Sequence, residues 1–78
     1  MKHTLAIQVA RYNKAMDRLD TTDVVEVARI SNRLTWYYRF HKLPDDLMQA
    51  LMAKFTKILS GEWYEDAHEE TIIKKYLY

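Results

Sequence analysis

Apolar side chains recur along this 78-residue chain at alternating steps of three and four, the spacing that gathers them on one face of an α-helix. From about Thr4 to Leu19, the set Leu5, Val9, Tyr12, Met16 and Leu19 forms a single heptad-like seam. "DTTDVVE" interrupts it, and Thr22 or Asp23 can accept from the free N–H groups of a new helix, with Asp23 and Glu26 suited to its positive end. That second helix is predicted over about Asp23 to His41, with Val27, Ile30, Leu34, Tyr37, Tyr38 and His41 as its core-facing set.

Pro44 followed by Asp45 and Asp46, and Gly61 after "KILS", mark the start and end of a third helix near residues 45 to 60. On its wheel Leu47, Met48, Leu51, Met52, Phe55, Ile58 and Leu59 share one half, while Gln49, Lys54, Thr56 and Lys57 are expected on the other. The tail "EWYEDAHEETIIKKYLY" has no continuous stripe. It predicts a bend or two short segments, with a helix from about Ala67 to Tyr76 whose leading acids and trailing Lys74 and Lys75 suit its dipole. The expectation is one all-α domain spanning residues 1–78: a small bundle of three main helices plus a shorter C-terminal helical segment, packed through Leu5, Val9, Leu34, Leu51 and Phe55.

The second helix carries a further face. Val25, Arg29, Arg33, Trp36 and Phe40 line up opposite the core set, within a stretch, "RLTWYYRFHK", that concentrates aromatics and cations. Two readings fit. A central helix buried on both sides, with arginine stems snorkelling at the rim, would be apolar all round. An exposed patch of this composition would instead be a docking surface, since Trp, Phe and Arg are enriched at binding hot spots. Arg29, Arg33, Trp36 and Phe40, joined by Arg39 and Lys42, are the candidate partner-binding residues.

Composition narrows the class. Nearly half the residues are apolar at 49%, while Gly and Pro occur once each, which suits a compact helical domain rather than disorder. A domain this small buries only about 60% of the surface its unfolded chain exposes. No cysteine is present to add a disulfide or a thiolate metal site. Self-association or partner binding remains as added support, and a homodimer is one expectation. No segment approaches the ~20 apolar residues that cross a bilayer, and "MKHTLAIQVAR" lacks a cleavage site of the signal-peptide kind. A soluble, cytoplasmic protein without a membrane partner is expected.

Charge is unevenly placed. Residues 1 to 42 carry eight Lys and Arg against four Asp and Glu, residues 44 to 60 balance, and the tail from Gly61 carries five acids against two lysines. The segments, +4, 0 and −3, sum to the net +1 of the chain. Glu62, Glu65, Asp66 and Glu69, with Glu70, fall at steps of one, three and four. They are read either as a solvated helix-leading face or as an acidic contact face for a basic partner.

Catalytic chemistry finds little footing. Glu65 and His68 have the i, i+3 spacing of carboxylate-bridged metal sites, but the second such pair is missing. Ser31 and Ser60 lie in no nucleophile turn, and Gly61 alone cannot build a phosphate loop. The expectation is a non-enzyme with no catalytic residues, metal or cofactor.

The run "EVARISNRLTWYYRFHKLP" resembles the first helix and recognition helix of the MerR and excisionase type winged-helix families. The likeness rests on Glu26, Val27 and Ala28, then Leu34, Trp36, Tyr37, Arg39, Leu43 and Pro44. It implies DNA binding through two helices joined by a glycine-containing turn. Here that turn and several residues around it are missing and no wing hairpin follows Pro44, so no residue role is carried across.

Together these features predict a protein-binding module: a small inhibitor or adaptor that docks on a larger protein or complex through the Arg and aromatic helix face. In size and style it resembles the accessory proteins of phages and mobile elements that act on host nucleases or defence complexes. The rival expectation is a small DNA- or RNA-binding regulator using the basic and aromatic helix 23–42.

Overall fold

The computed structural model describes residues 3–77 and contains four helices. They are α1 (His3–Asp17), α2 (Val24–His41), α3 (Asp45–Ser60) and α4 (His68–Lys75), with no strand among the described residues. The all-α bundle of three main helices with a shorter C-terminal one is therefore the observed fold. No described helix is long and apolar enough to cross a membrane.

Each boundary has a local cause. Asp23 caps α2, its carboxylate accepting from the N–H groups of Val25 and Glu26 at 3.1 and 3.2 Å. Thr22 serves the preceding turn instead: its backbone and hydroxyl both donate to Asp20, at 3.0 and 2.6 Å, and the hydroxyl holds the Asp20 carboxyl below its ordinary pKa. Lys42 ends α2 in the left-handed region, φ 51°, and Pro44 blocks continuation before α3 begins. Gly61 ends α3 at φ 77°, where Glu62 N–H reaches back to the Lys57 carbonyl at 2.8 Å.

The core is one cluster. Leu5, Val9, Tyr12 and Met16 of α1 meet Ile30, Leu34 and Tyr37 of α2 and Leu47, Ala50 and Leu51 of α3, closed by Leu43 and by Ile73 of α4. Phe55 is only half-buried against it. The α1 seam is thus consumed by the chain's own core. Tyr12 is buried between α1 and α2: its hydroxyl donates to the Ile30 carbonyl at 3.2 Å, and its ring meets Tyr37 edge-on with centroids 5.8 Å apart. Burial pushes its phenol pKa well above the ordinary value.

The wheel needs correcting in α2 and α3. Tyr38, 47% exposed, sits a further 100° round from Tyr37 and leaves the seam, and His41 is exposed because it is the last helical residue. Met52 and Leu59 face solvent at the edge of the α3 stripe. Lys54, expected on the polar side, is instead 0% exposed.

Its ammonium finds three acceptors: Asn13 Oδ1 at 2.7 Å, Asp17 Oδ1 at 2.7 Å and Glu70 Oε2 at 2.9 Å. Those match its three N–H donors. Asn13 also donates to Glu70 Oε1 at 3.1 Å, and the Trp63 ring lies 4.9 Å from the ammonium. α1, α3 and α4 therefore converge on one charge.

Two more contacts fix α4. Lys57 pairs with Glu69, an interaction that raises the lysine pKa and lowers the glutamate's. At the far end the Tyr76 hydroxyl donates to Asp46, 2.6 and 2.7 Å from its two oxygens, holding that carboxyl below its ordinary pKa and raising the phenol's. Residues 62–67, between α3 and α4, are not helical.

Two predictions follow from this packing. Lys54→Ala should cost about 3–5 kcal/mol in urea denaturation, because it strands Glu70 and Asn13 beside an apolar core. Lys54→Met combined with Glu70→Gln should recover part of that loss. A cost for Lys54→Ala below about 1 kcal/mol would mean that the ammonium does not hold the helices together. For the carboxyls Asp46 and Glu69 the folded pKa lies below the unfolded one. Their contribution is therefore present above the ordinary carboxylate range and is lost as pH falls through it toward the lower folded values. The denaturation midpoint should drop between about pH 6 and pH 3, and Tyr76→Phe should flatten that drop, since Asp46 then loses the contact that lowers it.

Candidate functional site

On α2 the core-facing positions Ile30, Leu34 and Tyr37 leave the opposite side of the helix open. Trp36 is 60% exposed, Phe40 58% and Val25 68%, and Arg29 and Arg39 are exposed with them. The two rings stack on one another across one helical turn, centroids 4.3 Å apart and tilted by 30°. The helix is therefore buried on one side only.

Arg33 behaves differently from the other cations. It is half-buried, its guanidinium 5.8 and 5.9 Å from the centres of the Tyr12 and Tyr37 rings, and it donates to the Tyr37 hydroxyl at 3.1 Å. It roofs the tyrosine pair. The freely presented set is thus Val25, Arg29, Trp36, Arg39 and Phe40, with Lys42 exposed just past the helix end.

Two open hollows flank the stacked rings. One, among Val25, Ala28, Arg29, Asn32 and Trp36, is a shallow, nearly flat depression. The other, of about 530 Å³, lies between the start of α1 and the end of α2, lined by Leu5, Gln8, Phe40, His41 and Pro44.

The acidic residues are not one helical face, because 62–67 is a turn rather than a helix. Glu62, Glu65 and Asp66 are exposed, whereas Glu69 is half-buried and engaged by Lys57, and Glu70 by Lys54. A third hollow, of about 400 Å³, lies among Asp17, Trp63, Glu65, Glu70 and Lys74. Glu65 and His68 are both exposed, and no three His, Asp or Glu side chains among the described residues converge on a point that could hold a metal ion.

The sequence pattern missed Lys54. A signal was present: Lys54 stands three residues after Leu51, four after Ala50 and four before Ile58, in the middle of the core stripe of α3. The segment that resembles a winged-helix DNA-binding motif is one unbroken helix, α2, up to His41. The two-helix arrangement implied by that resemblance is absent from the described residues. Comparison with protein-family profiles, with curated proteins and with solved structures gives no match.

An exposed stripe and a buried seam on the same helix should respond oppositely to truncation. Trp36→Ala should change stability by less than about 1 kcal/mol, the lost stacking being offset in part by the helix propensity of alanine. Tyr37→Ala, one position on, should cost about 3–5 kcal/mol. Thermal or urea denaturation of the pair reads the difference. Equal losses would place Trp36 in the core.

Proposed function

We propose that the chain is a non-enzymatic protein-binding module, a small inhibitor or adaptor that docks on a larger partner through the outer face of α2. The observation that carries this reading is the stacked pair Trp36 and Phe40, more than half exposed on a helix whose other side already supplies the core. Two large rings in water are a standing cost that burial against a partner removes, and Trp with Arg is the composition of interface hot spots. The stack also holds the rings in place, so little side-chain freedom is lost on docking. The action would be occlusion of the partner surface, with no chemistry on this chain.

A second reading has its own support: Arg29, Arg39 and Lys42 are exposed around stackable rings, an arrangement that also suits nucleic acid. Against it, only three freely exposed cations stand beside the rings, so few phosphate contacts are on offer.

Salt separates the two. A phosphate-binding face loses affinity by about 0.7 to 0.9 log units per log unit of salt for each phosphate contact. Apolar docking tolerates moderate salt, with Trp36→Ala or Phe40→Ala costing about 2 kcal/mol or more and Lys42→Ala little. The expected outcome is weak, non-saturating binding to duplex and single-stranded DNA at about 50 mM salt. Submicromolar binding that collapses by about 200 mM salt, and that strengthens when Glu62 and Asp66 are both changed to lysine, would overturn the proposal.

A further inference from the structure

The α2 face presents charge of one sign. From Val24 to Lys42 the chain carries Arg29, Arg33, Arg39 and Lys42 against Glu26 alone, so +4 and −1 leave a net of +3. Glu26 is half-buried in the first turn, three residues before Arg29, with which it forms no ion pair. The three ion pairs among the described residues all belong to Lys54 and Lys57, so the α2 cations enter none of them. No ion pair joins them to the acidic tail, and α4, which carries Glu69 and Glu70, packs on α3 whereas α2 packs on α1 and α3. The surface is therefore an apolar ridge with unpaired cations beside it.

Its shape restricts the occupant further. The backbone groups of α2 are used within the helix, and among the described residues there is no sheet edge to which an extended peptide could add. Contact must pass through side chains. The stripe from Val25 to Phe40 runs about 22 Å along the helix axis, with a hollow at each end of the stacked rings. A ridge with a shallow depression at the Val25 end and a deeper hollow at the Phe40 end is relief that a second helix can seat on.

Resting on the docking reading above, we infer that the partner element is an acidic amphipathic helix of about four turns. Its apolar side chains enter the two hollows on either side of Trp36 and Phe40, and its carboxylates meet Arg29, Arg39 and Lys42. Arg29 and Arg39 lie on either side of Trp36 along the helix, and each offers a forked donor set that a carboxylate matches at two points.

The experiment is a selection on the full chain from a displayed library of amphipathic helical peptides with a fixed leucine face and randomised Glu or Lys on the polar face. The enriched peptides are then titrated against wild type, Trp36→Ala with Phe40→Ala, and Arg29→Glu with Arg39→Glu. Enrichment of Glu-rich peptides that bind about tenfold or more weaker to each double variant supports the inference. Enriched Lys-rich or neutral peptides that still lose binding with Trp36→Ala and Phe40→Ala would overturn the acidic partner and leave the docking face standing. Peptides indifferent to both double variants, or no enrichment at all, would overturn the docking face as well. A DNA duplex that displaces the enriched peptides at physiological salt would assign the face to nucleic acid. A dimer in light scattering, abolished equally by the arginine variant and by Glu62→Lys with Glu65→Lys, would assign it to a second copy of this chain. Either result would end the inference.

Discussion

The fold depends on an ammonium group kept out of water. Removing a lysine charge from solvent costs several kcal/mol, and the cost is offset only where every N–H finds an acceptor and the countercharge is close. Lys54 meets both conditions with residues from two other helices: Asn13 and Asp17 from α1 and Glu70 from α4. The arrangement works in both directions. Asp17 closes α1, where a carboxylate opposes the helix dipole, and the ammonium offsets that penalty. α4, at eight residues, is too short to persist as an isolated helix. It holds its place through Ile73 in the core and through polar contacts of Glu70 with Lys54 and Asn13, of Glu69 with Lys57 and of Tyr76 with Asp46.

The main helices were legible because hydrophobic period, cap chemistry and the single proline and glycine agree with one another. Asp23, Pro44 and Gly61 stand within a residue of the observed ends. In the tail the bend and a helix from about Ala67 to Tyr76 were legible within a residue at each end, but not what anchors them, since long-range pairs such as Tyr76 with Asp46, thirty residues apart, leave no periodic trace. The same cause hid Lys54. Binary patterning sorts a lysine to the polar side, whereas its position in the α3 stripe sorts it to the core, and the partners that decide the matter lie in other helices. The outer face of α2 was legible as a pattern but not as a surface, because apolar positions on both sides of a helix fit burial and exposure equally well. Arg33 shows that limit within one residue: it shares the stripe's spacing yet turns inward onto Tyr12 and Tyr37.

The cations of α3 and of α2 have different fates. Those of α3, Lys54 and Lys57, are tied to carboxylates of α4 and serve architecture. Those of α2, Arg29 and Arg39 with Lys42, form no ion pair within the described residues and lie beside uncovered aromatic area. A chain of net charge +1 can in this way present a locally positive face. Net charge therefore says little about which surface meets a partner.

Lys42 carries the last consequence. A side chain in the left-handed region costs a non-glycine residue about 1–2 kcal/mol, and glycine would accept that backbone without penalty. Relief by glycine would, however, delete the one cation that stands at the rim of the Phe40 hollow and at the negative end of the α2 dipole. The position is thus a trade: conformational ease forgone, and a fixed charge kept where α2 ends and its outer face begins. In a domain whose small size leaves little margin, the hand-over from α2 to α3 thus rests on a strained non-glycine residue, and the charge and the strain at that point cannot be changed separately by glycine.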